Sequence, residues 1–206
     1  MKQLSIASVA RIGGALYLVN ILCGAFAIGY VGAAASDVHA HELLFRLGIA
    51  AHVVVTITNI GLALVFYELF RAVDRRVTLL VVFFTLVATA IEAGAIVTQL
   101  SSLSFGVAGP AYDVSAVFFG GYALAIAYLI YRSTFMPRAI GVLMAIDGAA
   151  YIFNSFSIFI SPDFARHLVP YIQLPTLLGE GSLTLWLLIA GVNVARWERL
   201  NKEAVR

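Results

Sequence analysis

Six long apolar stretches follow one another along the chain, separated by short segments where charge, glycine and proline collect. Each stretch is long enough for the ~20 residues an α-helix needs to cross a bilayer. The pattern predicts helices over about Ile12–Ala34, from Asp37 to about Leu69, then over about Val77–Ser101, Asp113–Tyr131, Arg138–Ile160 and Val169–Trp197. Asp37 suits the N-cap of the second helix, and Glu42 and Arg46 follow as an i, i+4 ion pair. R-A-V-D-R-R joins the second and third helices, and F-G-V-A-G-P-A-Y-D (Phe105 to Asp113) reads as a Gly/Pro loop. Pro137 suits the first turn of the fifth helix. S-P-D-F-A-R-H forms the last loop. Pro175 cannot donate to the carbonyl of Tyr171, so a kink is expected near Glu180. A signal peptide is the competing reading of the first stretch, since Lys2 precedes it and Ala33-Ala34-Ala35 resembles a cleavage region. The apolar run exceeds the ~7–15 residues of a signal core, which favours a retained helix.

Polar positions inside these stretches recur at helical spacing. His52, Thr56 and Asn59 share one face of the second helix, and Thr85, Thr89, Glu92 and Gln99 share one face of the third. Asp147, Tyr151, Asn154 and Ser161 do so on the fifth, and Gln173, Glu180, Thr184 and Gly191 on the sixth. On the first, Gly13, Tyr17, Asn20 and Gly24 would let a neighbour pack closely. Lipid cannot satisfy such stripes, so they must face protein or water. A rise of about 1.5 Å per residue puts His52 and Asn154 roughly 10 Å below the outer helix ends, and Glu92, Tyr122, Tyr151 and Glu180 roughly 15 Å below. Asn59 and Asp147 sit deeper, and Arg46 stands at the mouth. This shared depth predicts one outward-facing polar cavity lined by these nine residues. The segment His39 to Asn59, with three of the four histidines, an acid and an arginine, is its focus. Each group also has a structural reading: His52 and Asp147 as interhelical hydrogen-bond links, Tyr122 and Tyr151 as packing residues with a tethered hydroxyl, Glu42–Arg46 as a plain ion pair.

Composition sharpens the class. Hydrophobic residues make up 62% of the chain and charged ones 12%, against ~45–50% and ~25% in soluble domains. The expectation is an all-α polytopic membrane protein, residues 1–206 forming a single six-helix transmembrane bundle with the lipid bilayer as its main partner. Lys2, Arg11, Arg71, Arg75, Arg76, Arg132, Arg138, Arg196, Arg199, Lys202 and Arg206 fall on one side, against Arg46 and Arg166 on the other. The positive-inside rule then makes both termini cytoplasmic. The lone Cys23 excludes an internal disulfide and reads as a small buried hydrophobe. A homo-oligomer stays open.

His39 and His41 point to different sides of a helix, and His41 and His52 lie ~16 Å apart along it, so no metal joins them. A divalent metal held by His52, Glu92 and Glu180 is one His with two carboxylates, a non-haem type of set. The chain has no H-E-x-x-H, Cys pair, G-x-S-x-G elbow, P-loop or dinucleotide fingerprint. Nucleic-acid binding has no support.

H-E-L-L-F-R-L-G-I-A (His41 to Ala50), F-F-G-G-Y (Phe118 to Tyr122), Y-R-S-T-F-M-P-R-A-I-G-V-L (Tyr131 to Leu143) and G-E-G-S-L-T-L-W-L-L (Gly179 to Leu188) together resemble an uncharacterised bacterial family of six-helix membrane proteins, a domain of unknown function. The resemblance implies a six-helix fold in a bacterial inner membrane and brings no activity. Where that family commonly has an acid after R-L-G-I-A-A, this chain has His52. Three functions compete: binding or transport of a small solute or ion, an intramembrane hydrolase of a lipid-like substrate with or without a metal, and a structural or sensory subunit.

Overall fold

The computed structural model describes residues 4–31, 41–104 and 106–204. Six helices in it are long and apolar enough to cross a membrane, and no strand occurs among the described residues. They are α1 (Ile6–Gly24, running on as a π-helical segment, Ala25–Val31), α2 (Glu42–Phe70), α3 (Arg75–Ser102), α4 (Gly109–Arg132), α5 (Arg138–Ile160) and α6 (Leu174–Ile189). A short helix, Pro162–Leu168, lies between α5 and α6, and α7 (Val194–Ala204) follows α6. The protein is thus an all-α, multi-pass membrane protein.

Each spanning helix packs against its neighbours in sequence, and α6 closes back onto α1, so the six form a ring. Short connections between antiparallel helices favour this order. Small residues set the closest approaches. A Cβ on Gly148 would lie 2.8 Å from the carbonyl oxygen of Gly120, and one on Gly14 would lie 2.7 Å from the amide nitrogen of Leu188. Backbones this close need glycine, the usual device where packing rather than hydrophobic force holds helices together.

The start of α1 and helix α7 meet at one end of the ring, where Ile6, Val9 and Trp197 pack on the same core. Trp197 Nε1 donates to the Leu69 carbonyl at 2.9 Å, Arg196 donates to the Thr134 carbonyl at 3.0 Å, and the Asn193 amide donates to the Phe135 carbonyl at 3.2 Å. The connections Arg71 to Arg76 and Arg132 to Arg138 therefore share that end with α7 and its arginines. The half of the bundle at this end is a continuous apolar core built on Phe66, Leu69, Phe70, Ile126, Leu129, Ile130, Phe135, Met144 and Leu187. Among the described residues, the other half keeps a small apolar cluster of Phe45, Ile49 and Ile96.

Four boundaries differ from the hydropathy pattern, each for a local reason. Helix α1 starts at Ile6 because Ser5 caps it, accepting from the Ser8 amide at 3.2 Å. Helix α4 starts at Gly109, not Asp113, because Pro110 serves as a first-turn residue rather than a loop breaker. Pro175 likewise sits in the first turn of α6, so it starts the helix instead of kinking it. Helix α6 stops at Ile189, short of Trp197: Gly191 takes φ +65° and its amide bonds the Trp186 carbonyl at 2.8 Å, closing the helix. Asp37, His39 and the expected end of the first helix at Ala34 lie outside the described residues.

Candidate functional site

The polar stripes of α2 and α3 point into the ring. His52, Thr56, Asn59, Thr85, Thr89, Glu92 and Gln99 are all buried. One cavity of about 370 Å³ lies among the helices; Tyr17, Asn20, Asn59, Thr85, Glu92, Tyr112, Asp113, Ser115, Phe119, Tyr122, Tyr151 and Glu180 are among its walls. Its deep end rests on Tyr17, Leu62 and Tyr122, where the apolar core begins. A second cavity of about 550 Å³ lies between α1, α5 and α6, lined by Leu18, Asn154, Gln173, Thr176, Leu177, Glu180, Thr184 and Leu185 among others. Tyr151 and Glu180 line both.

On the α2–α3–α4 side, the site turns on one histidine. The Tyr112 hydroxyl donates to Gln99 Oε1 at 3.0 Å and lies 3.0 Å from His52 Nδ1. With its proton given to Gln99, that hydroxyl accepts from His52, which puts a proton on Nδ1. The Tyr112 ring also stacks on the imidazole, centroids 5.0 Å apart. His52 Nε2 then faces Glu92 Oε2 at 3.6 Å, and neither atom has a hydrogen bond. His52 is 1% exposed and stands behind Glu92, outside the cavity wall.

On the α1–α5–α6 side, hydroxyls surround an acid. Tyr151 donates to Glu180 Oε1 at 3.5 Å, Tyr122 donates to the Tyr17 hydroxyl at 3.4 Å, and Tyr17 faces the Glu180 carboxylate. Asp147 is fully buried beside Glu180 and packed by Gly179, where a Cβ would come within 2.7 Å of the Asp147 Cβ. Thr176 is its polar neighbour, yet neither carboxylate oxygen makes a hydrogen bond of ordinary geometry.

The remaining sequence candidates separate. Asn59 lines the first cavity; its Oδ1 accepts from Asn20 at 2.8 Å and its Nδ2 makes no hydrogen bond. Asn154 lines the second cavity. Arg46 is exposed and held by Glu42 at 2.7 Å, lining neither. The metal set is corrected: among the described residues no three His, Cys, Asp or Glu side chains converge, so His52, Glu92 and Glu180 do not form one ligand shell. Helices α3 and α6 stand opposite each other in the ring, which keeps Glu92 and Glu180 on facing walls. Sequence reasoning missed Tyr112, because its segment reads as a loop; taking Pro110 as a first-turn residue would have placed it on α4.

Among known proteins, an uncharacterized protein of Archaeoglobus fulgidus is 27% identical over 137 residues, covering 66% of this chain and 79% of that protein. No solved structure matches. A family described as Domain of unknown function (DUF4386) matches residues 12–109 and 106–191. Nearly the whole spanning ring falls within those matches, and the chain belongs to that family.

Proposed function

We propose that this membrane protein binds or transports a small polar solute or ion in the cavity enclosed by its ring of helices, reached from the face opposite the arginine-rich end. The observation that carries this reading is the pairing of a polar-walled cavity with a buried group left without a hydrogen bond, Asn59 Nδ2, above an apolar plug. A buried polar group without a partner costs about 1–3 kcal/mol, which water or a solute in the cavity would recover. A volume near 370 Å³ lies in the range of small-molecule sites. The excess of arginine at the end holding the start of α1 and helix α7 supports placing that end in the cytoplasm of the cell membrane, which makes the cavity outward-facing. A hydrolase built on His52 has less support, because Glu92 separates its imidazole from the cavity.

Thiol labelling tests the reading. In a Cys23→Ala background, Ala116→Cys lines the cavity and Ala127→Cys sits in the plug. A membrane-impermeant maleimide added to right-side-out vesicles should label position 116 and spare position 127. Labelling of 127 from outside, or of 116 only from the cytoplasmic face, would contradict the reading.

A further inference from the structure

The charges around the two cavities are one-sided. Glu92, Glu180 and Asp113 line them, and no Lys or Arg among the described residues does. Glu92 lines the first cavity and is 6% exposed, with its Oε2 3.6 Å from His52 Nε2. The walls between the acids are aromatic: Tyr17, Tyr112, Phe119, Tyr122 and Tyr151. Carboxylates facing each other across ring faces suit a cation, because the ring quadrupole and the acids attract the same sign of charge. A bare metal ion fits poorly, since no three ligating side chains converge among the described residues. Rings spaced around a cavity of this volume fit a bulkier, weakly hydrated charge. The second cavity adds an apolar side. It meets the first at Tyr151 and Glu180, and its walls include Leu18, Leu177 and Leu185, which are 39%, 64% and 57% exposed on the outer surface of the ring.

We infer that the solute is an organic cation with an apolar substituent, an amine or quaternary ammonium whose charged head sits between Glu180 and Glu92 among the tyrosines while its apolar part lies in the groove between α1 and α6. This rests on the cavity being a binding site and names the chemistry it selects. Glu180 belongs to both cavities, which makes it the contact shared by head and substituent.

The test uses benzyltrimethylammonium and its uncharged carbon isostere, neopentylbenzene, with benzylsulfonate as the anion of similar size. Binding to the full-length protein in nanodiscs is measured by equilibrium dialysis. Benzyltrimethylammonium should bind at least tenfold more tightly than either control, and Glu180→Gln should remove that preference at least tenfold while Arg46→Gln keeps it. Equal binding of cation and isostere, or a preference for the anion, overturns the inference, and this comparison needs no variant to fold. The maleimide result separates the two failures. A cavity that labels from outside but shows no cation preference sinks only the ligand class, whereas a cavity closed to the reagent sinks the binding site itself.

Discussion

The two halves of the ring use the same six helices for opposite ends. At the arginine-rich end, phenylalanine and aliphatic side chains fill the interior, and α7 closes it through Trp197 and Arg196. In the other half the interior carries His52, Glu92, Asn59 and Tyr112 beside open space. A helix in lipid has no need for buried carboxylates, whose insertion costs ~2.5–3.5 kcal/mol on biological scales. The apolar cluster at the arginine-rich end packs these helices with no carboxylate among its members. The acids of the other half are therefore an addition to the fold rather than a requirement of it.

If the halves differ in this way, substitutions should sort by half. The largest loss of stability is expected for Phe66→Ala, because Phe66 is fully buried and its ring meets Tyr17, Phe70 and Tyr122 at centroid distances of 6.2, 6.3 and 6.1 Å. Truncation there should cost about 3–5 kcal/mol, read from reversible unfolding in mixed micelles. Next comes Gly148→Ala, whose new methyl would press on the Gly120 carbonyl and the Leu124 side chain; overpacking of about 1–3 kcal/mol is expected, and no change in midpoint would show that α4 and α5 cross more loosely. In the polar half, Tyr112→Phe removes only the hydroxyl shared by Gln99 and His52. It should cost about 0.5–1.5 kcal/mol, and a loss as large as that of Phe66→Ala would erase the distinction between the halves. The smallest effect belongs to the exposed pair at the mouth: Glu42→Gln should change the unfolding free energy by under ~1 kcal/mol.

What the sequence made legible follows the same division. Spacing at i, i+4 and i+7 against an apolar background was enough to orient the stripes of α2 and α3, because lipid leaves a polar face only one direction to turn. The helical rise also assigns each residue an expected depth, but it does not say where around the ring one helix stands from another. Glu92 and Glu180 have a common expected depth, yet α3 and α6 are opposite members of the ring, so the metal set drawn from depth alone has no geometry. The end of α6 was hidden because Val192, Val194 and Trp197 continue the apolar run past Gly191, whose positive φ no hydropathy average registers. Tyr112 was hidden by Gly109-Pro110, a pair that marks a loop in one context and a first helical turn in another.

Water in one half and none in the other is the claim from which the functional reading follows. Nitroxide labels at Ala116→Cys and Ala127→Cys, each in a Cys23→Ala background and reconstituted in bilayers, measure it directly. Collision with a water-soluble nickel chelate should be frequent at position 116 and nearly absent at position 127, with oxygen collisions low at both. Chelate collisions equally rare at the two positions, or position 116 showing the high oxygen and low chelate accessibility of a lipid-facing site, would contradict the account.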